Sequence, residues 1–243
     1  MSDALVIIPT YNEKENIAAI IDAVLSLPKA FHVLIIDDGS PDGTAAIVRE
    51  KQIHYKGQIF LEERSQKSGL GTAYILGFEW AIEKGYHYVL QMDADFSHNP
   101  KDLQRLYSAC FHNEVDLSIG SRYVRHGKIK NWPLDRMLLS YLASLYVRLI
   151  TWIPVKDTTA GFVCYRRKTL ESINLEKIKF VGYAFQIEMK FAAWKSGFNI
   201  VEVPITFADR ELGESKMSMH IFKEALLGVL QMRTGYRKAA YLK

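Results

Sequence analysis

Five short apolar runs, at residues 4–9, 32–36, 59–62, 88–92 and 116–120, alternate with stretches that repeat their apolar residues at helical spacing. Ile17, Ile20, Ile21, Val24 and Leu25 form the first such stretch, ended by Pro28, and Ala73, Leu76, Gly77, Trp80 and Ala81 form a later one opened by Gly69-Leu70-Gly71-Thr72. Strand alternating with helix allows few folds. Parallel strands need a long crossover, and a helix is its usual content, so the pattern predicts an α/β chain with a mostly parallel, Rossmann-like sheet flanked by helices. In such sheets ligands bind beyond the carboxyl ends of the strands. The runs end at Pro9-Thr10-Tyr11-Asn12-Glu13, Asp37-Asp38-Gly39-Ser40, Asp93-Ala94-Asp95 and Ser121-Arg122-Tyr123, so these residues should meet in one crevice. Asn12 and Glu15 have capping-box spacing, which places the first helix start there. Further helices are expected over residues 45–51 and from Pro100 onward.

The second half is less regular. Residues 135–152 read as a helix too polar to span a membrane, which takes about 20 mostly apolar residues. Residues 161–166 and 200–207 read as strands, 182–195 as a helix, and 221–232 as a last amphipathic helix with a basic tail. The chain has 243 residues, and no repeat, low-complexity tract or composition break divides it, which favours one domain over 1–243. Cys110 and Cys164 have neither the number nor the spacing of a disulfide framework or zinc site, and residues 1–3 lead into the first strand without a signal-peptide pattern. A cytoplasmic protein is expected. Its net charge is only +4, but residues 122–148 hold six Lys or Arg against Asp135, and residues 220–243 hold five against Glu224. These basic segments are also amphipathic. They suit an anionic surface such as a membrane, and no nucleic-acid-reading motif accompanies them.

Asp93 and Asp95, one residue apart where a buried strand opens into a cleft, can hold a divalent cation together with phosphate oxygens, because Mg²⁺-like ions prefer hard oxygen ligands and retain some from the substrate. A strand-end loop with solvated or helix-capping acids would show the same spacing. The order of motifs separates the two. Pro9 to Glu13, Asp37 to Thr44, Gly69 to Ala73, Asp93-Ala94-Asp95, Gly120 to Tyr123, Asp157-Thr158-Thr159-Ala160-Gly161-Phe162, residues 182–188 and Arg210 to Lys216 together resemble family 2 glycosyltransferases of the GT-A fold, nearest their dolichyl- or polyprenyl-phosphate mannosyltransferase branch.

The resemblance implies a donor part over 1–125 and an acceptor and membrane-interface part over 126–243. Pro9, Tyr11, Glu13, Ile36 and Asp38 would line a nucleoside pocket, although for Asp37 a turn role fits as well as contact; for Asp38 and Glu13 the motif match favours contact over a turn or helix start. Asp93 and Asp95, with Ala94 between them, would manage the donor diphosphate through Mg²⁺ or Mn²⁺. Ser97 stands where many relatives carry Gln, which leaves metal preference open, and His98 reads as a turn element. Arg122, Arg136 and Ser140 would contact donor and acceptor phosphates, while Arg210 and Lys216 would sit on a loop closing over the donor. Arg136 and Ser140 are one helical turn apart and can face one anion.

The implied reaction is inverting transfer of mannose from GDP-mannose to a polyprenyl (dolichyl or undecaprenyl) phosphate. A phosphate nucleophile is already largely ionised at neutral pH, so no carboxylate base is required, and Glu188 reads as a donor-side or structural contact. Amphipathic helices at 137–150 and 221–232 would meet the bilayer peripherally, unless they pack on the sheet and a membrane subunit supplies the anchor. Two other readings stay open: a family 2 enzyme using a UDP-sugar such as UDP-glucose, and a silent nucleotide-sugar- or lipid-binding subunit.

Overall fold

In the computed structural model, which describes residues 2–112, 115–182, 184–210, 227–234 and 241–242, the alternation becomes β1 (Ala4–Thr10), α1 (Ile17–Leu25), β2 (His32–Asp37), α2 (Thr44–His54), β3 (Ile59–Glu63), α3 (Leu70–Glu83), β4 (Tyr88–Gln91), α4 (Asp102–His112) and β5 (Leu117–Ser121). The second half adds β6 (Lys128–Lys130), α5 (Leu134–Thr151), β7 (Val163–Arg166), α6 (Arg167–Ser172), α7 (Ala184–Lys195), β8 (Ile200–Pro204) and β9 (Thr206–Ala208). A further helical segment covers residues 227–234.

Seven strands form the main sheet in the order β3-β2-β1-β4-β7-β5-β8, and β6 pairs with β9 in a separate ribbon. Only β7 runs against its neighbours, β4 and β5. The other six main-sheet strands therefore share one direction and deliver their carboxyl ends to one edge. Alternate residues build two cores. Leu5, Ile7, Leu34, Ile36, Val89 and Tyr165 face α3 and α7, while Val6, Ile8, Val33, Ile35 and Leu90 face α1, α2 and α4. Both faces are covered, which is why the strands read as continuous apolar runs and not as alternation.

Two expectations are corrected. Asn12 and Glu15 do not cap a helix: α1 begins at Ile17, Asn12 has a positive φ of 55°, and its N–H donates to Ser40 Oγ at 2.9 Å. Hydrogen bonds to the loop after β2 override the local signal. Residues 200–207 are two strands, since the chain leaves the main sheet at buried Ile205, whose N–H donates to Ser121 O and whose carbonyl accepts from Lys128 N. The ribbon strand Lys128–Lys130 and the short helix Arg167–Ser172 carry no clear periodic signal. Of the helix expected over 221–232, residues 221–226 lie outside the described residues.

Helix α3 lies close against the sheet because Gly77 has no side chain. A Cβ there would stand 2.8 Å from Ile7 Cδ1 and 3.0 Å from Ile36 Cδ1. Gly77→Val should therefore lower the unfolding free energy by about 1–3 kcal/mol through overpacking. Urea denaturation checks this, and an unchanged midpoint would contradict so tight a contact.

Candidate active site

The loops after β1 and β2 are fastened to each other. Beside the Asn12 contact, the Glu13 N–H donates to Thr44 Oγ1 at 3.0 Å and the Lys14 N–H to Asp42 Oδ2 at 3.1 Å. Asp37 clasps the turn: it is 1% exposed and accepts from the Thr10 hydroxyl, the Ser40 N–H and the Ser40 hydroxyl. Next to it Asp38 accepts from Arg64 Nε at 2.6 Å, and Arg64 also donates to Thr72 Oγ1 and to the Gly69 carbonyl. Burial raises the Asp38 pKa, and the arginine opposes the shift. Pro9 and Tyr11 are half-buried at this edge, with Lys67 Nζ 4.8 Å from the Tyr11 ring centre. Glu13 accepts from Asn16 Nδ2 at 3.0 Å. Ile36 presents no side chain here, being buried in the core.

After β4 the chain turns sharply, with Phe96 at a positive φ of 58° and the Ser97 N–H donating to Asp95 Oδ1 at 3.1 Å. Asp95 is 7% exposed and Ala94 is buried, whereas the Asp93 side chain keeps 40% of its accessible surface. Desolvation and then the neighbouring Asp95 charge push the Asp93 pKa up to about 7, and Glu13 adds to the repulsion. Glu13, Asp93 and Asp95 thus share one field, and an added cation would relieve it. His98 is buried; its Nδ1 accepts the Asp93 N–H at 3.3 Å, and its ring stacks on Phe162. Burial lowers the imidazole pKa to about 4, so the ring is a neutral brace. Ser97 is buried, and its carbonyl accepts from Ala208 N at the end of β9.

The cations come from the other side of the cleft. Arg210, just after β9, places Nη2 3.1 Å from Asp95 Oδ2. Arg136, on the first turn of α5, pairs with Asp209 at 2.9 Å, and Ser140 accepts from the Tyr123 hydroxyl at 2.8 Å. Arg122 grips Asp157 with Nε and Nη2, both at 2.7 Å, and donates to Thr159 Oγ1. Asp157 is fully buried, and Glu202 holds its loop by accepting the N–H groups of Lys156 and Asp157. Trp132 sits between two of the guanidinium groups, 4.1 Å from Arg136 and 5.6 Å from Arg122. Arg122, Arg136, Ser140 and Arg210 are therefore one cluster, joined to the carboxylates through Arg210. Lys216 lies outside the described residues.

Glu188 faces away from this work. Its carboxylate accepts the N–H groups of Lys179 and Phe180 and the Tyr241 hydroxyl. Three donors make it the clasp of the loop before α7, in keeping with the structural contact read from sequence. Sequence reading missed Arg64, Trp132 and the partner role of Asp157. Arg64 did carry a signal, since it follows β3 at the same edge as the acids.

Helices on both faces of a mostly parallel sheet, with acids and arginines collected at its carboxyl edge, define a GT-A nucleotide-sugar fold. The described chain aligns with glucosyl-3-phosphoglycerate synthase from Mycobacterium tuberculosis, crystallised with Mn²⁺ and UDP, at TM-score 0.70 and 16% identity over 96% of this chain and 79% of that one. It also aligns with the mannosyltransferase PcManGT from Pyrobaculum calidifontis, in complex with GDP-Man and Mn²⁺, at TM-score 0.57 and 16% identity over 95% and 69% of the two chains. Residues 5–173 match glycosyl transferase family 2, and the chain belongs to that family of enzymes. Among its relatives are polyprenol monophosphomannose synthase of Mycolicibacterium smegmatis, 45% identical over 93% of this chain and 85% of the relative, and undecaprenyl-phosphate mannosyltransferase of Micrococcus luteus, 44% identical over 93% and 91%.

Glu188→Gln should cost about 1 kcal/mol of stability, because charge-assisted bonds from three donors are weakened, while leaving turnover within a few-fold of wild type. Denaturation and steady-state kinetics on one preparation check both parts. Near-complete loss of turnover in a normally folded variant would make Glu188 the base for a hydroxyl acceptor.

Proposed function

We propose that this glycosyltransferase moves mannose from GDP-mannose to a polyprenyl phosphate with inversion, giving a β-linked mannosyl phospholipid. The observation that carries this reading is the composition of the cleft: two carboxylates at one end, a cluster of three arginines at the other, and the nearby Glu188 committed to its own loop. A hydroxyl acceptor would require a placed base, whereas a phosphate monoester, with a second pKa of about 6, brings its own oxyanion. Two anions must then be held in line, which is the task of Arg122, Arg136 and Arg210. The relatives named above as acting on polyprenol and undecaprenyl phosphate agree with this choice.

Residues 1–125 serve the donor in this reading. Asp38, Glu13 and Tyr11 receive the nucleoside. Asp93 and Asp95 fit a hard divalent cation: they are mutually repelling carboxylates, and Arg210 supplies positive charge at Asp95. Asp93 and Asp95 would hold Mg²⁺ or Mn²⁺, whose charge would offset that of the diphosphate leaving group. The acceptor oxygen approaches C1 from the arginine side; its bond to C1 forms as the bond from C1 to the diphosphate oxygen breaks, and GDP departs. Ser140, beside Arg136 and fixed by Tyr123, adds a hydroxyl to the acceptor phosphate. Residues 126–243 serve the acceptor and the membrane.

No helix among the described residues is long and apolar enough to cross a bilayer. Helix α5 instead buries Ser144, Val147 and Thr151 and exposes Leu134, Leu138, Leu139, Leu142 and Leu149, each between 48% and 78%. Its last turn meets the 227–234 segment, where Arg233 lies 4.2 Å from the Trp152 ring and Leu227 and Leu230 are exposed. A broad apolar surface beside basic groups suits an anionic bilayer at which a lipid phosphate is presented.

Radiolabel from GDP-mannose, offered beside UDP-glucose with Mn²⁺, should enter the organic-extractable polyprenyl phosphate from the first donor alone, be lost in Asp95→Ala, and show a β linkage by NMR. An α linkage or label from UDP-glucose alone would overturn the reaction. The double variant Leu138→Glu, Leu142→Glu should lower flotation with anionic vesicles at least about tenfold, since each leucine side chain is worth roughly 1.5–3 kcal/mol when buried. Undiminished flotation would remove α5 from the interface.

A further inference from the structure

We infer that Gln186 is a specificity-determining residue: its buried side-chain amide reads a hydroxyl of the donor sugar in a small hollow over Gly161. The inference rests on the proposed reaction and names how its sugar is recognised. Gln186 is 2% exposed in the first turn of α7, and among the described residues neither its Oε1 nor its Nε2 has a hydrogen-bond partner. Buried polar groups in native proteins are almost always satisfied, so an amide orphaned at both ends indicates a missing partner. The missing partner has to offer both a donor and an acceptor. A phosphate would satisfy Nε2 and leave Oε1 unpaired, a cation would do the reverse, and a hydroxyl satisfies either end or bridges to the next hydroxyl.

The amide is held in place beside the reacting groups. Lys190 Nζ, fully buried, donates to the Gln186 carbonyl at 3.0 Å and to the Ala160 carbonyl at 2.6 Å, which fixes the start of α7 against the loop before β7. A Cβ on Gly161 would stand 3.7 Å from Gln186 Nε2 and 4.0 Å from His98 Cε1, so the space over Gly161 lies between the amide and the imidazole. His98 receives the Asp93 N–H. Phe185, the neighbour of Gln186 in sequence, stacks on Tyr74, whose hydroxyl donates to the Met92 carbonyl at 3.5 Å. His98 thus leads from the space over Gly161 to the residue assigned to the diphosphate, and the sugar is bonded directly to that diphosphate. The distances over Gly161 are ordinary contact distances, so Gly161→Ala fills the hollow without a clash.

The test titrates GDP and GDP-mannose, each with Mn²⁺, into wild type, Gln186→Met and Gly161→Ala, with melting temperatures in parallel. Both variants should melt at or above the wild-type temperature, bind GDP within about twofold of wild type, and lose about ten- to a hundredfold in affinity for GDP-mannose. Among 2-, 3-, 4- and 6-deoxy donors, one should bind wild type with the same loss and show no added loss in Gln186→Met. Unchanged GDP-mannose affinity in both variants would overturn the inference. So would equal losses for GDP and GDP-mannose, or the same penalty with every deoxy donor, as expected if water alone fills the hollow. Lipid-phase transfer by the wild type reports on the reaction separately: transfer with unaltered variants leaves the reaction standing and removes Gln186 from it.

Discussion

The buried pair of Arg122 and Asp157 is the constraint on which the arginine side of the cleft depends. Asp157 is fully enclosed, and an unpaired charge there would cost several kcal/mol, so the end of β5 and the loop before β7 must stay together. Glu202 on β8 fastens that loop through two backbone N–H groups and accepts from Ser121, so three strand ends share one network. Trp132, Phe207 and Tyr123 pack around the Arg122 guanidinium. The aromatic packing carries its position on to Arg136 and to the ribbon that precedes Arg210.

Several charges assigned to substrate already have an internal partner: Asp38 with Arg64, Asp95 with Arg210, Arg122 with Asp157, and Arg136 with Asp209. Under the proposed reaction, donor binding would exchange these partners in a site that stays close to neutral. Asp93 and Asp95 would hold the metal, and Arg210, now paired with Asp95, would be the cation available to the diphosphate. Arg122 differs from the others, since its bidentate grip on Asp157 is fully buried. Under the proposed reaction it is the fixed member of the arginine cluster, and a group held in place needs no reorganisation when the reaction occurs.

How much of this could be read from the sequence follows from the range of the interactions involved. Asp38, Asp93, Asp95 and Arg122 were legible because each ends an apolar run, and a mostly parallel sheet brings such ends to one edge. The partnership of Arg122 with Asp157 was not, because 35 positions separate them and the reversed strand β7 closes the gap. Asn12 and Glu15 misled because their capping spacing is local, while the Asn12 N–H is held by Ser40, 28 positions away. Residues 200–207 looked like one strand because alternation cannot reveal that a chain changes sheets at Ile205. Gln186 was visible only as a letter in a motif; its missing partners appear when the residues around it are known.

The central claim is that the Asp93 and Asp95 carboxylates take up a divalent cation jointly with the donor diphosphate. Electron paramagnetic resonance of free Mn²⁺ tests it most directly, with protein titrated in the absence and presence of GDP. Uptake by the protein alone should be weak, GDP should strengthen it at least about tenfold beyond what GDP binds by itself, and Asp95→Ala should lose that gain. Equal Mn²⁺ uptake by wild type and Asp95→Ala, or GDP binding unaffected by chelation of the metal, would contradict it.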